Sequence, residues 1–376
     1  MPGTKADYLI IGGGIAGASI AYWLAPHARV ILFERESQPG YHSTGRSAAL
    51  YFESYGPPQV RALTRASRAF FDHPPPGFTE HPILTPRGAL IVGDQGQEAL
   101  LDEHDAIVRS VSSKAQRLDA ADACALVPVL RRERVAGAVY EPDAADIDVH
   151  ALHQGFLRGM RASGGIVCCD AEVRAMVYTG DTWHVSAAGK VFEAPVVVNA
   201  AGAWCDWIAQ LAGVPPVGLV PMRRSAFTFA PPEGMAANEW PMFIGADESY
   251  YVKPDAGLLL GSPANADPVA PHDVQAEELD IALAIDRIET MTTLVIRRPR
   301  HAWAGLRSFV ADGSFVGGFD ASVPGFFWAA AQGGYGIQSS AAAGELYASL
   351  LRGMPPPAHI AAYGVDERAL RPSRIR

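Results

Sequence analysis

Two arginines, Arg224 and Arg307, stand in strand-like runs of small and apolar residues, RRSAFTF and AGLRSFV. A guanidinium fork binds a carboxylate through paired N–H···O bonds and stays charged at any working pH. Two forks turned to one site would anchor an α-carboxylate and orient the Cα–H beside it. The other reading is a structural ion pair for each, and the residues alone leave that open. Arg223 is adjacent, and on a strand its side chain is expected on the opposite face. Tyr55 and Tyr251 offer hydroxyls to a carboxylate and rings to a pocket wall, or serve as ordinary packing. In Gln332–Gln338, QGGYGIQ, the paired Gly333 and Gly334 allow either close approach to a ring system or a tight turn.

The elements that must position these groups begin with residues 7–46. A short apolar strand, Tyr8–Ile11, runs into Gly12, Gly14 and Gly17. An amphipathic helix and a second apolar strand, Val30–Phe33, follow, and Glu34 closes the unit. Gly12 permits the tight turn, Gly14 lets the backbone approach a pyrophosphate, and Gly17 lets the helix pack on the strands. The helix N-terminus offers unpaired N–H groups and a positive dipole end to phosphates. Glu34 is placed to accept hydrogen bonds from a ribose. Strand, glycines, helix, strand and acid in register point to an adenine dinucleotide. The motif does not choose between NAD and FAD.

The next segment does choose. Arg35, Pro39, Gly40 and His42–Ala49, HSTGRSAA, suit a loop that wraps a flavin and its pyrophosphate. Here the sequence resembles the DAO superfamily of FAD-dependent amine oxidoreductases, and within it most resembles the D-arginine dehydrogenases. The matching stretches include YHSTGRSAA, VPVLRR, ALHQG, VNAAGAWCD, RRSAF, LLGSPANADP, WAGLRSFVADG and AAQGGYGIQ, and they span nearly the whole chain.

That resemblance implies an α/β fold: a Rossmann-like FAD-binding domain carrying an inserted mixed-sheet substrate domain, as in the glycine oxidases. It implies FAD held by Gly12, Gly14, Ala16, Gly17, Glu34 and Arg35 in the first unit. Ser43, Thr44, Arg46, Ser47, Ala48 and Leu50 would follow in the loop, with Val173 and Gly202 further on. Gly333, Gly334, Tyr335, Gly336, Ile337 and Gln338 would meet the ring system. No cysteine lies in RSFVADG, where some relatives attach flavin, so the FAD is expected to be noncovalent. Arg224 and Arg307 match the family's carboxylate-binding arginines, and Tyr55 and Tyr251 its substrate-pocket tyrosines. The backbone carbonyl of Gly334 would receive the substrate amine. The helix expected from about Gly336 to Leu351 would turn its positive end toward the negative charge of a reduced flavin.

The expected reaction is oxidative deamination of a D-amino acid to a 2-oxo acid and ammonia. A quinone, a carrier or oxygen would take the electrons. Two departures from the D-arginine dehydrogenases bear on the substrate. Leu50 replaces a histidine, and Ala89 replaces a glutamate that meets the distal guanidinium. A buried cation without a partner costs several kcal/mol. Leu50, Phe52, Ala89, Met242 and Ile244 are therefore expected to line an apolar pocket that rejects D-arginine and D-lysine. Two other readings stay open: oxidation of secondary amines or 2-hydroxy acids, and a flavin-carrying subunit of a larger complex.

Composition bounds the rest. With 376 residues, 49% hydrophobic and 19% charged, the chain suits two domains of an ordinary globular protein. A net charge of −9 argues against nucleic acid. Basic clusters at Arg131–Arg134, Arg297–Arg300 and Arg368–Arg376 read as solvated patches. Cys124, Cys168, Cys169 and Cys205 form no CxxC pair, so no metal site is expected, and Cys168 and Cys169 read as inert core thiols. No leader or transmembrane run is apparent, which makes the cytoplasm the default location, with peripheral membrane contact left open. Helices are expected after Pro57–Pro58, over 97–110, after Asp119, and over Val149–Ala162 capped by Asp148. The FAD domain is expected to comprise 1–79, 146–217 and 304–376, and the substrate domain 80–145 and 218–303.

Overall fold

A computed structural model describes residues 4–376 of the chain. Tyr8–Ile11 and Val30–Phe33 lie side by side as parallel strands, and seven of their eight residues are buried. Near-continuous apolar runs are what a sheet covered on both faces requires. The sheet has six strands, in the order Val316–Phe319, Phe326–Ala330, Val196–Asn199, Tyr8–Ile11, Val30–Phe33, Ile166–Cys168. All pairings are parallel except that of the edge strand Val316–Phe319. The helix Ile15–Leu24 packs against Val149–Ala162 and Ser340–Leu351.

The strand-to-helix turn is built for glycine. Gly12 has φ +108°, and a Cβ there would fall 2.4 Å from the Ala200 carbonyl oxygen. A Cβ on Gly17 would fall 2.0 Å from the Gly12 carbonyl oxygen. Val196–Asn199 brings Ala200 alongside, where its N–H donates to Ile11 O at 2.9 Å. The helix Pro58–Asp72 opens on proline, as expected. Asp148 caps Val149–Ala162 through the Ala151 N–H at 2.8 Å, and Asp119 caps Ala120–Leu126.

A second, nine-stranded mixed sheet draws on residues 89–141 and 220–309. Its long pair, Val220–Phe229 and His301–Phe309, runs antiparallel over its whole length. The helix Glu278–Met291 lies against it. The strand His301–Phe309 crosses the boundary expected at 303/304. Three short strands, Leu50–Tyr51, Ala145–Ile147 and Leu84–Pro86, form a small sheet next to where the chain passes between the two large ones.

Two expectations need correction. The last long helix starts at Ser340, not near Gly336. Gly333 takes φ +52°, and Tyr335, Ser339 and Ser340 close successive turns onto Gln332, Tyr335 and Ile337. Those turns use the backbone of 332–340 before a helix can begin. Cys168 ends an edge strand, and it and Cys169 are half-buried, whereas Cys205 is the fully buried thiol. Val173–Thr179, Thr182–Ala187 and Lys190–Ala194 form a three-stranded antiparallel sheet.

Candidate active site

Three contiguous cavities form one channel between the sheets. The first runs past Gly12, Gly14, Glu34, Arg35, Val173 and Gly202. It meets the second at Ser43 and Thr44, and the second continues along Arg46, Ser47, Ala48, Gly305–Arg307, Gly333, Gly334, Gly336 and Ile337. The third, of about 500 Å³, opens at Arg224, Tyr251, Arg307 and Gly334. The segments that line the channel are those that the glycine turn, the HSTGRSAA loop and QGGYGIQ supply. Ala16 lies off the channel and packs against the core.

At the dinucleotide end, Glu34 is 7% exposed. Its carboxylate accepts the N–H of Gly13 at 3.1 Å and of Glu36 at 2.9 Å. Burial pushes its pKa up, against the pull of those two bonds. Each oxygen keeps a lone pair for a ribose hydroxyl. Arg35 pairs with Glu36 at 2.9 Å and lies over the Trp204 ring. The Thr44 hydroxyl accepts the Ile15 N–H at 3.0 Å, so the loop caps the first helix from a distance. Ser43 donates to Leu306 O at 2.7 Å. Arg46 lines the channel, but its guanidinium is held by Asp273 and by the carbonyls of Val274 and Ala304. Its fork therefore serves the loop.

The far end carries the two arginines. Met222 pairs with Arg307 and Arg224 with Gly305, so Arg224 and Arg307 share one face of the long antiparallel pair. Arg307 donates from Nη1 to the Tyr55 hydroxyl at 2.9 Å. Arg224 donates from Nε to Asn265 O at 2.6 Å. No carboxylate stands within ion-pair distance of either among the described residues. Burial, and then the Arg307 guanidinium, push Arg224 down to about 10. It remains cationic at neutral pH. Arg223, one residue away, meets Asp280 at 3.1 Å and Asp267 at 3.3 Å, and also Glu277. The alternation of the strand thus separates a structural arginine from one that faces the cavity.

Tyr55 stacks on Phe52 with centroids 4.8 Å apart and meets Tyr335 edge-on at 4.8 Å. Tyr251 is 5% exposed and opens the strand Tyr251–Asp255 on the cavity wall. Gly334 lies so close to Arg307 and Tyr55 that a Cβ would stand 3.0 Å from both Nη1 and the hydroxyl. Its carbonyl accepts no hydrogen bond among the described residues. Gln338 is buried and bridges Phe52 N and Thr64 Oγ1.

Leu50, Phe52, Met242 and Ile244 line the third cavity. Ala89 does not reach it. It is 1% exposed and is buried in one apolar cluster with Leu50 and Met242. Arg61, His104, Ile107, Val108, Glu248 and Phe309 also line the cavity and were not singled out in the sequence. Glu248 is the one carboxylate on that wall among the described residues. It sits at φ +54° on an exposed turn, a strained conformation for a non-glycine residue. No motif marks it: it sits on the turn between the neighbouring strands Met242–Gly245 and Tyr251–Asp255.

The channel fits a flavin dinucleotide on its own features. Glycines stand where the turn and the ring end leave no room for a side chain. The buried Gln332 Nε2 has no hydrogen-bond partner among the described residues and lies on the channel wall. The N–H groups of Gly336, Ile337 and Gln338 are likewise unpaired among the described residues. A bound isoalloxazine offers acceptors to such donors. No helix is long and apolar enough to cross a membrane, and no cluster of His, Cys, Asp or Glu suits a metal, among the described residues.

Comparison with known proteins agrees. The model of the family "FAD dependent oxidoreductase" (DAO) matches residues 7–350. A bovine (Bos taurus) FAD-dependent oxidoreductase domain-containing protein 1 is 24% identical over 93% of this chain and 82% of its own length. An L-2-hydroxyglutarate dehydrogenase from Salmonella houtenae is 25% identical over 68% of this chain and 64% of its own. Among solved structures, glycine oxidase from Geobacillus kaustophilus superposes with a TM-score of 0.83 at 22% identity, over 97% of this chain and 99% of that one. That likeness concerns the fold. With the family model matched over most of its length, the chain belongs to the DAO family of FAD-dependent oxidoreductases.

Proposed function

We propose that the protein oxidises small α-substituted carboxylic acids, and that its substrates are D-amino acids with uncharged or apolar side chains. The observation that carries this reading is the pair of half-buried guanidinium groups, Arg224 and Arg307, facing one cavity with no carboxylate at ion-pair distance among the described residues. Buried like charges are costly unless an anion joins them. A substrate carboxylate supplies that anion and is held from two sides. Tyr55 and Tyr251 flank it, and the free Gly334 carbonyl accepts a hydrogen bond from the Cα amine. Leu50, Phe52, Met242 and Ile244 exclude water around the side chain. FAD, when bound, supplies the acceptor for the Cα hydride. The remaining residues orient Cα–H toward it; as the hydride leaves Cα and the nitrogen gives up a proton to water, the amine becomes an imine, which takes up water and hydrolyses to a 2-oxo acid and ammonia. The D configuration rests on the resemblance to the D-arginine dehydrogenases, while the apolar wall supports a different side chain. A quinone, a carrier or oxygen serves as electron acceptor.

A second reading has its own support. The Gly334 carbonyl accepts an N–H or an O–H equally, so secondary amines or 2-hydroxy acids also fit. Relatives include the L-2-hydroxyglutarate dehydrogenase and a dimethylglycine dehydrogenase of Mus musculus. Anaerobic reduction of the FAD-loaded protein by a panel of D-amino acids, N-methylglycine, proline and 2-hydroxy acids separates the readings. An apolar D-amino acid should bleach the flavin fastest. D-arginine reacting fastest would sink the side-chain assignment, and a secondary amine or hydroxy acid doing so would favour the second reading. No reduction by any of them would favour a flavin-carrying subunit of a larger complex.

A further inference from the structure

Glu141 ends the strand Val135–Glu141 of the nine-stranded sheet and is 2% exposed. Its carboxylate meets no cation at ion-pair distance among the described residues. Both oxygens are taken by one short segment from the other side of the channel. Glu53 N–H donates to Oε1 at 2.8 Å, and Ser54 Oγ donates to Oε2 at 2.6 Å. This segment joins the strand Leu50–Tyr51 to the helix Pro58–Asp72. The next residue is Tyr55, whose hydroxyl stands 2.9 Å from Arg307 Nη1 and whose ring stacks on Phe52.

The other backbone ties of the segment are long. Phe52 N–H reaches Gln338 Oε1 at 3.4 Å, and Tyr55 N–H reaches Phe52 O at 3.5 Å. The bonds to Glu141 are the short ones, and charge-assisted hydrogen bonds are the strong ones. A buried carboxylate with no cation depends on its donors, so withdrawal of 53–54 would leave it unsatisfied. The cost of that state holds the segment in place.

We propose that Glu141 is a positioning residue that clamps segment 53–54 to the large sheet and so sets Tyr55 and Phe52 against the arginine pair. The consequence for substrate rests on the reading of that pair as a carboxylate site. The clamp itself does not.

The test uses the FAD-loaded protein. Glu141→Gln keeps one acceptor oxygen and places an amide donor where the second acceptor was. Ser54→Ala removes one donor without touching the sheet. Amide hydrogen exchange over residues 52–57 should speed up about tenfold in Glu141→Gln and less in Ser54→Ala, as loss of one charge-assisted hydrogen bond implies. Flavin content should not change. Unchanged exchange over 52–57 overturns the clamp. Propionate affinity, read from the flavin absorbance, should also weaken about tenfold in Glu141→Gln. In a Tyr55→Phe background the same change should have little further effect, because it acts through Tyr55. Full additivity would mean a general structural role and would overturn the positioning assignment. If propionate fails to bind the unmodified protein, the carboxylate reading fails, and the clamp is judged on exchange alone.

Discussion

Arg224 and Arg307 face the same cavity from adjacent antiparallel strands, two residues apart along the shared register, and neither meets a carboxylate among the described residues. Such an arrangement stores repulsion that an anion relieves. Arg224→Ala should lower kcat/KM by roughly a hundredfold, the loss of a bidentate charge-assisted contact. FAD content should stay near that of the unmodified protein, since the Arg224 fork bonds only Asn265. Arg307→Ala should cost at least as much, because Tyr55 loses its partner as well. Steady-state kinetics with flavin quantification checks both. A variant that loses FAD and activity together would place Arg224 in cofactor binding instead.

The glycine turn makes a sharper steric prediction. A Cβ at position 17 would stand 2.0 Å from a backbone carbonyl oxygen, and one at position 12 would stand 2.4 Å from another at a φ that L-residues avoid. Neither neighbour is a flexible side chain. Gly17→Ala should destabilise the protein by about 3 kcal/mol or more and yield apoprotein. Flavin absorbance per mole of purified chain and thermal unfolding would show it. Normal FAD content would mean that the turn relaxes more than its packing implies.

Much of this end of the molecule was legible because its constraints are local. Gly17 answers to the Gly12 carbonyl in the same turn, and the acid cap at Asp148 answers to Ala151 three residues on. The arginine pair was legible only as two candidates, with an ion pair as the rival for each. Their shared face depends on a strand register that joins residues some eighty positions apart, which packing fixes. The rival reading holds for Arg223, whose three acids come from 267, 277 and 280. Ala89 was assigned to the cavity by analogy, but it is buried in the cluster of Leu50 and Met242 and does not line the cavity. Glu248 was missed because a strained turn, not a motif, delivers it. The helix after Gln338 starts late because Ser339 and Ser340 close tight turns onto Tyr335 and Ile337 ahead of it.

His153 supplies a pH dependence. Its ring is 4% exposed and bonds the Gly13 carbonyl through Nε2 at 2.9 Å, directly behind the dinucleotide turn. Burial lowers its pKa below the ordinary 6.5 of histidine, against the raising effect of that bond. The unfolded chain therefore binds the proton more readily than the folded one. Stability is present above pH 6.5 and declines as pH falls from there through the folded pKa. Buried Glu34 and Glu141, whose pKa values burial raises, work in the opposite sense, so a comparison with a variant isolates the histidine. His153→Gln keeps a donor for Gly13. The fall in Tm between pH 8 and pH 5 should be smaller in this variant than in the unmodified protein. Equal falls would assign the acid sensitivity to another group.

Gly334 tests the site geometry without removing any functional group. A Cβ there would stand 3.0 Å from Arg307 Nη1 and from the Tyr55 hydroxyl. Both atoms are ends of side chains that border open cavity, so they can give way by a few tenths of an ångström at little cost in stability. Gly334→Ala should therefore keep its Tm and its FAD. The shift falls on the two groups proposed to hold the carboxylate, and catalysis is more sensitive than stability to such displacement. A drop of roughly tenfold to a hundredfold in kcat/KM is expected, the upper bound being the cost of an ångström-scale misplacement. A bulkier residue at 334 would add loss of flavin, because the same backbone borders the ring end of the channel. If Gly334→Ala is as active as the unmodified protein, the Arg307–Tyr55 contact does not set the position of the substrate, and Arg224 alone would have to hold it.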